Sequence, residues 1–168
     1  MRSRVIKATL YIIVMIFASN IVLAGASSPV GYWKQMSDKT GKLQSIVKIY
    51  RSHDALEGKV VRAFKMNGQM PQKYCTKCPG TFKNKRIIGM VFLWGFKLNP
   101  ATGWFEEGHI LDPNSGDLYK CKMALIDNGT KLDVRGYIGI SLFGRTQTWL
   151  WIPPSQVKAE LAKGMTNW

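Results

Sequence analysis

The sequence predicts an all-β protein: a single antiparallel meander of about eight strands, closed into a barrel and followed by a short C-terminal helix. Three observations lead there. Segments rich in Val, Ile, Tyr, Phe and Trp recur along the chain. The breaks between them carry Gly, Asn, Asp and Pro, and the best-patterned segments alternate apolar and charged residues with period two. Consecutive strands joined by short turns pair as neighbours, and closing such a meander removes the two edges an open sheet would expose.

The first strand is expected over residues 30–36 and ends at the turn Asp38-Lys39-Thr40-Gly41. Strands over 45–51 and 56–64 flank His53-Asp54, and strands over 87–97 and 104–111 flank Asn99-Pro100-Ala101-Thr102-Gly103. Asp112-Pro113-Asn114-Ser115-Gly116 leads into 118–126, and Asp127-Asn128-Gly129 into 132–138. These turns supply the tight or positive-φ geometry that joins antiparallel neighbours. In the sixth strand Tyr119, Cys121, Met123 and Leu125 share one face and Lys120 and Lys122 the other, so one face is core and one meets water. The seventh repeats this, with Leu132, Val134 and Ile138 opposed to Lys131, Asp133 and Arg135. An apolar connection, 139–144, precedes the eighth strand over 145–152. Pro153-Pro154 ends it, and 155–163 reads as a helix capped by Ser155 and stopped at Gly164, with Val157 and Leu161 on its packing face.

Residues 1–26 read as a secretory signal peptide. Arg2, Arg4 and Lys7 form a basic start, 10–17 an unbroken apolar run, and Ala24 and Ala26 supply small residues for cleavage. Ser19 and Asn20 interrupt the run before it reaches the roughly 20 apolar residues a membrane span requires. The mature chain, 27–168, is then one domain expected in the periplasm and not membrane-spanning. Its charge is 14 − 3 = +11, since the first 26 residues hold three basic and no acidic groups. A field of that sign attracts anionic envelope surfaces, while the export signal argues against nucleic acid as partner. An outer-membrane barrel is disfavoured because Lys120 and Lys122 stand where lipid would demand apolar residues.

The polar stretch 65–86 is too long for a plain hairpin loop and holds Cys75 and Cys78, while Cys121 lies in the sixth strand. In an oxidising compartment one disulfide is expected. A loop cysteine bonded to Cys121 closes the longer loop, about 4 kcal/mol of chain entropy against about 2 kcal/mol for Cys75–Cys78, and is the favoured pairing. Thioredoxin-like chemistry would need a helix N-terminus at the first cysteine, and a zinc site would need Cys75, Cys78, Cys121 and His109 together. Both rank behind the disulfide, and no metal or cofactor is called for.

Glu107 and His109 alternate onto one strand face and could point together into the barrel, the main candidate acid–base pair. Trp94, Trp104, Tyr137 and Trp149 join them as candidate ligand-lining residues, although the same aromatics could instead fill a small barrel completely. Ile140, Leu142 and Phe143 would form an apolar tip if the connection before the last strand is exposed.

Several blocks carry a family resemblance: Gly31-Tyr32-Trp33, Cys75-Thr76-Lys77-Cys78, Gly108-His109-Ile110-Leu111-Asp112-Pro113 with Gly116 and Tyr119-Lys120-Cys121, and Leu132-Asp133-Val134-Arg135-Gly136-Tyr137-Ile138-Gly139 running into Gly144-Arg145-Thr146 and Trp149. In these the chain resembles a bacterial family of exported proteins known only as a domain of unknown function, for which a lipocalin-like barrel is expected. The resemblance implies fold and envelope location and brings no reaction. The wider lipocalin analogy implies a structural closure in which Gly31-x-Trp33 is covered by a late arginine, Arg135 or Arg145. The first reading of function is therefore a non-enzymatic exported barrel holding a small apolar or amphiphilic molecule. A structural or interaction protein of the envelope is second, and a thiol-redox, metal-site or other enzymatic protein third.

Overall fold

β1 (Gly31–Met36) opens a barrel that β8 (Gly144–Ile152) closes by pairing back onto it, with Trp33 opposite Trp151. Between them run β2 (Leu43–Ser52), β3 (Ala55–Ala63), β4 (Val91–Leu98), β5 (Phe105–Leu111), β6 (Leu118–Ile126) and β7 (Lys131–Tyr137), each antiparallel to the next. This computed structural model describes residues 25–163, so the basic and apolar start of the chain, Ala24 and Gly164 lie outside the described residues. The eight-stranded meander expected from the turns is the observed topology, and every expected strand is present.

The interior is filled unevenly. At the end holding the β2–β3 and β6–β7 turns, Trp33, Ile49, Leu56, Phe96, Met123, Leu132 and Trp149 are buried to 1% exposure or less. Phe96 can occupy this layer because Gly108 faces it, where a Cβ would come within 2.3 Å of the ring. The chain preceding β1 seals the same end: the Trp33 indole donates to the Pro29 carbonyl at 2.8 Å, and Ala26 N–H donates to the Gly129 carbonyl at 2.9 Å. The opposite end is hollow.

Two strands depart from strict alternation. β4 begins at Val91, four residues later than the apolar run suggests, because Ile87 N–H bonds back to the Lys73 carbonyl and Gly89 N–H to the Val60 carbonyl, so 87–90 belong to the loop. In β5 the register shifts between Phe105 and Gly108, where Glu107 adopts φ 61°, and the bulge leaves Glu107 exposed. β7 ends at Tyr137 before a turn at Gly139 (φ 70°), which leaves Ile138 in solvent and out of the core.

After β8 a 3-10 turn (Pro154–Gln156) leads into α1 (Val157–Ala162). Ser155 does not cap the helix; Gln156 holds the N-cap position without a side-chain bond, because the 3-10 turn has already supplied backbone hydrogen bonding. The buried residue of α1 is Glu160, with Val157 and Leu161 half-buried. Glu160 accepts Lys34 Nζ at 2.8 Å and Lys163 Nζ at 2.7 Å, while the Arg62 guanidinium reaches the Lys163 carbonyl at 3.3 Å. Lys34 and Arg62 flank Ile46 in register on the outer wall, and Ile46 is fully buried, so α1 covers that wall and not a barrel mouth.

The Lys163 and Lys34 ammonium groups hold the Glu160 carboxyl below its usual range. A depressed folded-state pKa contributes stability above the unfolded value and loses it as pH falls through the folded value. Glu160→Gln is expected to lower stability by about 1–2 kcal/mol at neutral pH, and the difference from wild type should vanish in thermal melts taken progressively below the ordinary glutamate pKa.

Candidate functional site

The hollow end is a cavity of about 650 Å³ opening between the β1–β2, β3–β4, β5–β6 and β7–β8 connections. Its volume lies within the range of small-molecule sites. Two kinds of wall enclose it. Val60, Phe92, Ile110 and Val134 make an apolar side, extended over the mouth by Met66, Met70 and Ile87. Gln35, Ser45 and Gln147, from β1, β2 and β8, make a polar one. Strand alternation turns the strand residues among them inward near the mouth, while Met66, Met70 and Ile87 come from the β3–β4 connection.

The polar side is internally connected. Ser45 Oγ donates to Gln35 Oε1 at 2.6 Å, and Gln35 Nε2 and Trp149 Nε1 both donate to Gln147 Oε1, at 3.0 and 3.3 Å. Gln147 Nε2 reaches the Asp38 carboxylate at 3.1 Å at the rim. Trp149, fully buried, lies beneath this strip with its ring 6.4 Å from Phe92. Tyr119 also lines the cavity; its phenol donates to Asp117 at 3.3 Å, and burial together with that carboxylate raises its pKa, so it remains a donor. The interior thus offers neutral donors and acceptors on one side and hydrocarbon on the other.

Of the ligand-lining residues expected from sequence, Tyr137 lines the cavity and Trp149 lies under its polar strip. The others are on the outer wall. Trp94 pairs with His109 across β4 and β5, the two rings stack at 5.7 Å, and Phe82 stacks on Trp94 at 5.5 Å. Trp104 carries Lys122 Nζ 4.5 Å above its ring. Glu107 and His109 do not converge inside the barrel, because the bulge turns Glu107 outward; both edge a shallow outer groove with Lys120, Lys122 and Ser141. Gln35, Ser45 and Gln147 escape a reading of sequence because nothing but their inward phase marks them.

The stack explains what anchors the long connection. A 3-10 turn (Gly80–Phe82) brings Phe82 onto Trp94, and Cys75 N–H donates to the Lys85 carbonyl at 2.8 Å. Cys75 is bonded to Cys78 and Cys121 is a free, buried thiol, so the favoured longer link to Cys121 does not form. A separation of three residues lets the loop cysteines meet locally, whereas Cys121 faces inward from β6 opposite Gly108 and Gly136. Burial pushes the Cys121 thiol up to about 12. The thioredoxin-like and zinc readings lose their geometry: the pair is in a loop, and Cys121 and His109 lie on opposite sides of the wall.

The arginines take other duties than covering Trp33. Arg135 donates to the Ser141 carbonyl from Nε (2.9 Å) and Nη2 (2.6 Å), to the Leu142 carbonyl at 3.2 Å and to Thr146 Oγ1 at 2.9 Å. Arg145 pairs with Asp38 at the rim. Trp33 is instead sealed by Pro29 and its neighbours, with Gly31 (φ 146°) placing its backbone beside Trp151.

The model of a family described as an uncharacterized protein conserved in bacteria, DUF2147, matches residues 31–150, from the first strand through most of the last. The chain belongs to the DUF2147 family. Among solved structures, this DUF2147 barrel is similar to a Helicobacter pylori protein, HP1028, reported to belong to the lipocalin family. The TM-score is 0.66 at 18% identity, over 79% of this chain and 88% of that one, a likeness of fold. No curated protein matches the chain. The barrel is therefore lipocalin-like, and among the described residues no helix is long and apolar enough to cross a membrane.

A thiol titration checks the cysteine assignment. The native protein should show no thiol reacting with a disulfide reagent at neutral pH, and the unfolded, unreduced protein one, with a mass two hydrogens below the fully reduced chain.

Proposed function

We propose that this DUF2147 protein is an exported, non-enzymatic barrel that holds one small apolar or amphiphilic molecule. The observation that carries the reading is the two-sided cavity of about 650 Å³ above Trp149. An acyl chain or ring system would lie against Phe92, Ile110 and Val134, and its polar group would exchange hydrogen bonds with Gln35, Ser45 and Gln147. These anchors are neutral, so binding one amphiphile requires no buried unpaired charge. The lipocalin-like fold supports a binding role without identifying the ligand. The proposed compartment is the periplasm, on the strength of the basic, apolar and small-residue order of 1–26 and a disulfide in the loop.

A second reading, an interaction protein of the envelope, draws on the exposed residues Ile140, Leu142 and Phe143. The two readings separate at the cavity.

Gly136 tests it. A Cβ built there meets Ile110 Cγ2 at 3.5 Å and Tyr119 Cβ at 3.7 Å, ordinary contacts, so a larger side chain would occupy cavity space without a backbone clash. Native mass spectrometry of protein purified without detergent should show a retained small molecule, and a fluorescent fatty acid should bind one per chain and quench tryptophan emission. Gly136→Leu is expected to weaken that binding about ten-fold, about 1.4 kcal/mol, with an unchanged barrel by circular dichroism. A bare chain whose probe signal is the same in Gly136→Leu would overturn the carrier reading.

A further inference from the structure

We infer that the open end of the barrel docks on an anionic lipid bilayer, with Ile140, Leu142 and Phe143 inserted and a collar of lysines on the headgroups. The β7–β8 connection exposes these side chains at 61, 76 and 72% of their full area, with Ile138 beside them at 70%. Contiguous exposure of this kind on a polar surface marks an interaction site.

The carbonyls of the tip are satisfied from within the protein. Arg135 caps the Ser141 and Leu142 carbonyls, Phe143 N–H donates to the Ile140 carbonyl at 3.1 Å, and Ile138 N–H to the Phe143 carbonyl at 3.4 Å. Entry into hydrocarbon favours peptide groups satisfied within the protein, and these bonds meet that need for the carbonyls of 140–143. The Ile140 and Leu142 side chains are exposed, and Phe143, also exposed, stands at the rim of the cavity mouth. A loop built to fold over the barrel end would bury them.

Charge names the partner. The connections at the open end, residues 37–42, 64–90, 112–117 and 138–143, hold Lys39, Lys42, Lys65, Lys73, Lys77, Lys83, Lys85 and Arg86 against Asp38, Asp112 and Asp117, or 8 − 3 = +5. All eight cations are exposed. At the closed end, residues 25–30, 53–54, 99–104 and 127–130 hold no Lys or Arg against Asp54 and Asp127, or 0 − 2 = −2. The positive field therefore surrounds the same end that presents the apolar tip. Combined apolar insertion and basic attraction is the signature of reversible attachment to anionic lipid.

The experiment is flotation of the processed chain, its N-terminus verified by mass, with phosphatidylglycerol–phosphatidylethanolamine vesicles and with phosphatidylcholine vesicles. The protein should float with the anionic vesicles and bind phosphatidylcholine at least ten-fold more weakly. Ile140→Ser/Leu142→Ser/Phe143→Ser should reduce the anionic partition at least ten-fold, and Lys39→Glu/Lys42→Glu should reduce it several-fold at low salt, both with wild-type thermal midpoints. Gly136→Leu should float like the wild type, which keeps a failure of docking distinct from a failure of ligand capture. Absence of flotation, or an unaffected triple variant, would overturn the inference. So would a dimer in sedimentation that the triple variant abolishes while vesicles are ignored, since the tip would then serve a second copy of the chain.

Discussion

Closure of β8 onto β1 around a packed end is the constraint on which the rest of the molecule depends. An eight-stranded barrel is only wide enough for side chains to fill, so the distribution of large and small inward residues decides whether any space remains. Here Trp33, Trp149, Phe96 and Leu132 concentrate at one end, where the strap through Ala26 and Pro29 also crosses. Toward the other end the inward positions pass to Val60, Val134, Gly136 and Gln147, and the barrel opens. Stability is gathered in one half of the fold, leaving the other half free to be hollow.

The outer wall is occupied as deliberately as the interior. Phe82, Trp94 and His109 form a stack that fastens the connection between β3 and β4 to the barrel, with Cys75–Cys78 tightening the loop itself. Side chains that look like ligand contacts in the sequence thus hold down the loop that supplies Met66, Met70 and Ile87 to the mouth. On the opposite flank α1 covers Ile46 through the Glu160 pairs with Lys34 and Lys163. These attachments fix the frame around the cavity without entering it.

An apolar tip, a basic collar and a two-sided cavity all belong to one end of the molecule. A barrel resting mouth-down on a bilayer would bring its cavity next to a supply of amphiphiles. Arg135 links these features physically, because the residue that follows it in β7 is the cavity glycine, Gly136, and its guanidinium shapes the tip.

Local pattern was enough to determine the meander: turn chemistry located the breaks, and alternation in β6 assigned inside and outside over residues 118–126 in agreement with the structure. The apolar character of residues 139–144 was legible, but whether they fold over the barrel end or stand exposed was not, and the structure leaves Ile140, Leu142 and Phe143 exposed. Period-two reasoning failed where the period was interrupted. The shifts in β4 and the positive-φ bulge at Glu107 reverse the phase of the strand, and no local residue preference announces them. The cysteine pairing, the burial of Glu160 and the duties of Arg135 were likewise decided by which distant segments the closed barrel brings together. By itself the sequence determined the order and number of strands, because those follow from neighbours along the chain. The tertiary structure alone decided which end is hollow and which side chains line it, because a cavity is defined by what eight strands jointly leave unfilled.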